Sequence, residues 1–295
     1  MQLLNKPYSI VSMRNILTEL SNLILPEYFI ITISTIITAS LFNNNLNIQL
    51  IPLIIIFSLV MIGLNTFNSI FDVEIDKINK PDRPSISGKL TKIQINLIWV
   101  LSFSSALMLS ILINSNLTIV TIIAIILAII YSLPPIRLRN HFIGSSLVGG
   151  FIYGAFPYLL VNLISNNLIN LSYIGLFFGI LFSITPLKDI EDIIGDKKHN
   201  IKSMPVLIGE IKTIQFSTIA LLIITSLFLI INLSSNYLLI IAFILTTIII
   251  IHLNKYSKNK ITKKHQRTTQ SMIVTIAMIT VILIELIYGL IIYLN

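Results

Sequence analysis

Nine long apolar runs separated by short polar loops dominate the chain. They fall near residues 22–42, 50–71, 94–113, 117–133, 142–163, 169–187, 214–233, 237–253 and 271–294. A helix crossing the hydrocarbon core of a bilayer needs about 20 mostly apolar residues. Many of these runs are rich in Ile, Val and Thr, which in water favour strands. In lipid the backbone must satisfy its own hydrogen bonds, and the alternation of a barrel strand is absent, so span length decides for helices. The expectation is an all-α, polytopic membrane bundle of about nine transmembrane helices. Residues 1–21 form a cytoplasmic N-terminal segment and residues 22–295 a single transmembrane domain. Charged residues are only 11% of the 295, against roughly 25% in an ordinary soluble domain. Soluble, secreted, fibrous and disordered classes are thereby excluded. With no cysteine, disulfides, thiolate metal sites and cysteine nucleophiles are excluded as well.

The loops set an orientation. Residues 43–49, 114–116, 165–170 and 234–236 carry no charge, and all 20 Lys and Arg lie in the N-terminal segment or in the other loops. By the positive-inside rule the N-terminus and the charged loops face the cytoplasm of a cell-membrane protein, and nine spans put the C-terminus outside. The net charge of +8 follows from this asymmetry and points to no nucleic-acid partner.

Eight of the twelve acidic residues crowd two of the cytoplasmic loops. In the first, Asn68, Asp72 and Asp76 are spaced by four, so they climb one helix face at roughly 6 Å per step. In the second, Asp189, Asp192 and Asp196 stand at i, i+3 and i+7, again one face. Asp72, Asp76 and Lys77 recur as Asp192, Asp196 and Lys197 at an offset of 120 residues, and Pro84 and Gly88 recur as Pro205 and Gly209 at an offset of 121. An even number of spans separates the loops, so this weak duplication puts two carboxylate faces on one side. Stacked carboxylates repel one another unless a cation sits between them, and hard oxygen donors suit Mg²⁺, which bridges carboxylates to substrate phosphates. Ringed by Lys77, Lys80, Arg83, Lys188 and Lys202, such a site suits a phosphorylated ligand. The bundle behind it would hold a hydrocarbon tail.

These residues resemble the UbiA family of membrane prenyltransferases. Asn68, Asp72 and Asp76 look like its N-x-x-x-D-x-x-x-D signature, followed by Asp82-Arg83-Pro84. Asp189, Asp192, Gly195 and Asp196 look like its D-x-x-D-x-x-G-D segment, followed by Lys202-Ser203-Met204-Pro205-Val206 and Gly209. A third match runs from Tyr131-Ser132 through Pro134-Pro135 to Arg137, Arg139 and Gly144. The resemblance implies an intramembrane, Mg²⁺-dependent transferase that ionises an allylic isoprenyl diphosphate. The prenyl group then passes to a lipophilic acceptor: an aromatic quinone precursor, a tetrapyrrole or an archaeal glycerol-phosphate ether lipid. By resemblance, Asp72, Asp76, Asp192 and Asp196 hold the metal, with Asn68 beside them, and Arg83 and Lys188 hold the leaving diphosphate. Tyr131, Arg137, Asp189, Lys77 and Lys202 complete the expected substrate-binding set. Asn200 stands where many members carry glycine, and Arg14 stands near the family's N-terminal arginine. Glu27 and Glu285 lie near or within spans but match no motif. The rival reading is a transporter of a cation or anionic solute. A transporter calls for ionisable groups near mid-membrane, whereas these acids crowd one surface.

Overall fold

The computed structural model describes residues 26–42, 50–165 and 170–231. Every regular element among them is helical: α1 (Pro26–Phe42), α2 (Leu50–Phe71), α3 (Val73–Asn79), α4 (Pro84–Ser87), α5 (Lys92–Ile113), α6 (Ser115–Ser132), α7 (Gly144–Ile164), α8 (Leu171–Lys188), α9 (Ile193–Lys198), α10 (Met204–Ile208) and α11 (Glu210–Ile231). Among the described residues six helices, α2, α5, α6, α7, α8 and α11, are long and apolar enough to cross a membrane. The 17-residue α1 coincides with the first expected span. The expected spans at 237–253 and 271–294, with Arg14 and Glu285, lie outside the described residues.

The short uncharged loop and the charged one use local capping to turn the chain. The Asn114 side chain accepts the N–H of Asn116 at 2.7 Å, so one residue ends α5 and opens α6. Thr91 and Gln94 form a reciprocal capping box at the start of α5. Outward on α5, Ile93, Leu97, Leu101, Met108 and Leu112 are all exposed, an aliphatic face suited to lipid chains and not to water. Inward, α7 and α8 approach closely. A Cβ on Gly154 would land on the carbonyl of Phe177, and one on Gly150 would crowd that of Phe178. The α7 backbone widens to a π-helix over Gly150–Ala155 at this contact.

The duplication seen in the motifs is also one of architecture. In each unit a long helix is followed by an aspartate that opens a short helix: Asp72 directly after α2 opens α3, and Asp192, four residues beyond the end of α8, opens α9. A one-turn helix with proline in its first turn follows, α4 or α10, and ends at a positive-φ glycine: Gly88 at 74° and Gly209 at 84°. The flanking long helices of each unit pack together, α2 on α5 and α8 on α11. Both short acidic helices thus sit at the same end of the bundle, in contact with each other.

Candidate active site

The first motif keeps its helical step across a join. The Asp72 N–H donates to the Asn68 carbonyl at 3.1 Å and the Asp76 N–H to the Asp72 carbonyl at 2.7 Å, so the four-residue spacing still stacks the side chains. Asp72 and Asp76 are fully buried. The second motif departs from the single helical face expected. Asp189 and Asp192 sit in a tighter turn, with N–H groups bonded three residues back (to Pro186 and Asp189, each 3.2 Å), and α9 begins only after Asp192. Asp189, Asp192 and Asp196 are nonetheless all buried.

Basic side chains knit the two motifs into one cluster. Arg139 hydrogen-bonds Asp196 Oδ1 at 3.1 Å, lies 3.5 Å from Asp192 Oδ2, and pairs with Asp72 Oδ2. It therefore touches both loops. Arg137 donates to Asp72 Oδ1 at 2.7 Å and to the Phe71 carbonyl at 3.2 Å. Lys80 Nζ is 2.8 Å from Asp192 Oδ2, and Arg83 pairs with Asp76 while donating to the Asn65 carbonyl at 3.0 Å. The Ser203 hydroxyl donates to Asp196 Oδ2 at 2.9 Å. It fills the place in the second unit that Arg83 fills in the first, seven residues beyond the acid.

Other expected residues line the same region. Asn68 accepts the Ser132 hydroxyl at 3.0 Å. Tyr131 is buried: its ring lies 5.8 Å from the Lys188 ammonium, and Ser145 hydrogen-bonds both Tyr131 and Asp189. Lys77 and Lys202 are not brought in. Lys77 is exposed and pairs with Glu74 at 2.6 Å, and Lys202 is exposed. One residue after Asp76 is a quarter-turn away from its face, whereas Lys80, four residues on, is nearly above it. Asn200 adopts φ 56°, the left-handed conformation that asparagine tolerates best after glycine. Arg139, Asn79, Ser145 and Ser203 were outside the expected set, although Arg139 lies in the third motif and Ser203 in the tail of the second.

Burial pushes Asp76 and Asp189 above the ordinary carboxylate range and lifts Asp196 to about 6. Burial works the same way on Asp192, but Lys80 and Arg139 outweigh it and hold that group below its ordinary value. Among the described residues no three acidic or histidine side chains converge tightly enough to cage a metal alone. Mg²⁺ does not require such a cage, since it keeps several waters and binds through one or two carboxylates plus phosphate oxygens. Asp76 Oδ1 and Asp192 Oδ1, one from each loop, are buried without a hydrogen-bond donor. Those orphaned carboxylate oxygens fit a hard divalent cation.

The model of the UbiA prenyltransferase family matches residues 28–287. The chain belongs to this family. Among UbiA relatives, it is 34% identical over 157 residues to digeranylgeranylglyceryl phosphate synthase of Methanosphaera stadtmanae, covering 52% of this chain and 56% of that protein. It is 31% identical over 183 residues to the synthase of the same name from Sulfurisphaera tokodaii, covering 60% and 63%. The matched segment thus spans less than two thirds of either relative. A UbiA homologue from Archaeoglobus fulgidus, solved with DMAPP and Mg²⁺, shares the fold at a TM-score of 0.67 and 14% identity over 90% of this chain and 99% of that one.

Proposed function

We propose that this UbiA member transfers a polyprenyl group from an allylic isoprenyl diphosphate to the hydroxyl of a glycerol-phosphate ether lipid, releasing diphosphate. The observation that carries the reading is Arg139, which reaches Asp72 in one loop and Asp192 and Asp196 in the other. Two acidic loops joined by one guanidinium make a single polar site. The names of the archaeal relatives support the acceptor, and the A. fulgidus homologue solved with Mg²⁺ supports the metal.

Asp72, Asp76, Asp192 and Asp196, with Asn68 beside them, are the groups to hold Mg²⁺. When bound, Mg²⁺ supplies positive charge that stabilises the leaving diphosphate. Arg83, Arg137, Arg139, Lys80 and Lys188 add fixed cations where negative charge develops as the allylic C–O bond breaks and its electron pair departs with the diphosphate. The acceptor oxygen donates the pair that forms the new C–O bond and loses its proton to the departing diphosphate. Buried Tyr131, joined through Ser145 to Asp189 and stacked against the Lys188 ammonium, adds an apolar ring beside these charges. The same reading puts both acidic loops in the cytoplasm. Membranes carrying the protein, incubated with a panel of isoprenyl diphosphates and acceptors and read by mass spectrometry with Mg²⁺ or EDTA, test it. Prenylated ether lipid formed only with Mg²⁺ is the expected product; prenylation of an aromatic acceptor alone would replace the acceptor assignment.

A further inference from the structure

Asp192 occupies the N-cap position of α9 yet makes no side-chain capping bond. An N-cap aspartate ordinarily bends its carboxylate back onto the N–H of the second or third helical residue, because the first turn of a helix leaves those donors unpaired. The third residue of α9 is Gly195. Its N–H is taken instead by Asn79 Oδ1 of the other acidic loop, at 2.9 Å across 116 residues. The same carboxamide turns its Nδ2 to the Asp192 carbonyl, also at 2.9 Å. A flipped amide would set oxygen against oxygen and N–H against N–H, so the two partners fix its orientation. Gly195 is what lets it in: a Cβ there would come within 2.5 Å of Asn79 Nδ2.

We propose that Asn79 is a positioning residue that caps α9 from the neighbouring loop and so frees the Asp192 carboxylate to face the site. Asn79 ends α3, the helix that carries Asp76, so the cap also fixes the register of one acidic helix against the other. Both of its partners are backbone groups. The link is therefore uncharged, and it persists when the ion pairs around it exchange for metal and phosphate. Lys80, the next residue, grips the same aspartate by its carboxylate, so adjacent side chains hold the backbone and the charged end of Asp192 apart. Without Asn79 the Gly195 N–H is left to the Asp192 carboxylate, which reaches it by turning the Asp192 backbone from φ −91°, ψ −1° toward the extended conformation of a capping residue, and so leaves the site.

The inference about catalysis rests on the prenyltransferase reading, while the capping itself does not, and two cycles separate them. In the first, thermal unfolding in detergent is measured for the parent, Asn79→Ala, Asp192→Ala and the double variant. If Asp192 leaves Lys80 and Arg139 to replace Asn79 as the cap, those pairs are already lost in the Asn79→Ala background, and Asp192→Ala lowers Tm there by less than in the parent. Equal losses in both backgrounds overturn the capping exchange. In the second, prenyl transfer is followed at varied Mg²⁺. Loss of a residue that orients a ligating group typically costs 10–100-fold. Asn79→Ala is expected to lower kcat/KM by about that factor and to raise the Mg²⁺ needed for half-activity, while in the Asp192→Ala background it has no further effect. Gly195→Ala, which ejects the amide sterically, is expected to reproduce Asn79→Ala and to add nothing to it. Independent, multiplying losses, or parental Mg²⁺ dependence in Asn79→Ala, overturn the positioning role. A parent that transfers no prenyl group under any condition overturns the function reading and with it the catalytic half of the inference, and the Tm cycle still decides the cap.

Discussion

Lys80 Nζ lies 2.8 Å from Asp192 Oδ2, so a cation of the first acidic loop neutralises a carboxylate 112 residues away in the second. Burial works against the charge on Lys80, but Asp192 and Asp76 outweigh it and hold its pKa above the ordinary value. The pair is intact across the physiological range. Lys80→Met leaves Asp192 with only the longer contact to Arg139. The expected loss is about 1–2 kcal/mol, below the 3–5 of a fully buried pair because the lysine side chain is more than one-third exposed. Lys80→Arg restores most of it. Thermal unfolding in detergent micelles checks both, and a Lys80→Met protein as stable as the parent would count against the contact.

Arg139 is the more demanding case, because its guanidinium serves three buried carboxylates and is itself only 6% exposed. Arg139→Met removes the guanidinium that these acids share and leaves Asp72 to Arg137, Asp192 to Lys80 and Asp196 to the Ser203 hydroxyl. Breaking a buried pair of this kind costs about 3–5 kcal/mol, and the remaining partners put this variant at the lower end. Arg139→Lys keeps the charge but has no planar fork with which to span two loops. That variant is expected to fold, yet to lose transfer by about 10²–10³, the usual effect of removing one electrostatic contact to a leaving group. Parental turnover in Arg139→Lys would refute the spanning role.

Helix positions were legible in the sequence because each long run has the length and apolarity that lipid demands. Each of the seven runs that reaches the described residues contains a helix, and the ends that lie within those residues are shifted by four residues or fewer. Asn68, Asp72 and Asp76 were legible because a four-residue step survives the join at Asp72. The second motif was less so, since backbone bonds three residues back break the helical phase between Asp189 and Asp192. Proximity in sequence misled for Lys77, which adjoins Asp76 but points to solvent, whereas Lys80 lies on the acid's own face. Contacts between the loops left no local trace: nothing around Asn79 announces that its partners are the backbone of Asp192 and Gly195.

Asp196 gives the site a pH dependence with a definite sign. Burial lifts its carboxyl to about 6, against which Arg139 and the Ser203 hydroxyl pull it down. A protonated carboxyl cannot ligate a cation. At sub-saturating Mg²⁺, kcat/KM is therefore expected to fall by about tenfold per pH unit below pH 6, where an unshifted carboxyl would sustain it to about 4. Saturating Mg²⁺ competes with the proton and moves the limb to lower pH. Ser203→Ala removes a bond that favours the ionised form and moves the limb up. A limb that stays near pH 4, or that ignores Mg²⁺, would dissociate Asp196 from the metal.

Sidedness is testable without background labelling because the chain contains no cysteine. Ser87 and Lys198 are exposed and close the two acidic segments, while Ser115 is exposed at the turn between α5 and α6. One span separates Ser87 from Ser115, and four separate Ser87 from Lys198, so the first pair must lie on opposite sides and the second on the same side. The distribution of Lys and Arg assigns Ser87 and Lys198 to the cytoplasm. Ser87→Cys and Lys198→Cys are expected to react with an impermeant maleimide only in inverted vesicles, and Ser115→Cys only in right-side-out ones. If Ser87→Cys and Lys198→Cys label from opposite sides, the shared site fails along with the orientation. If both label only in right-side-out vesicles, the shared site stands and the bundle is inverted, with substrate drawn from the outer face.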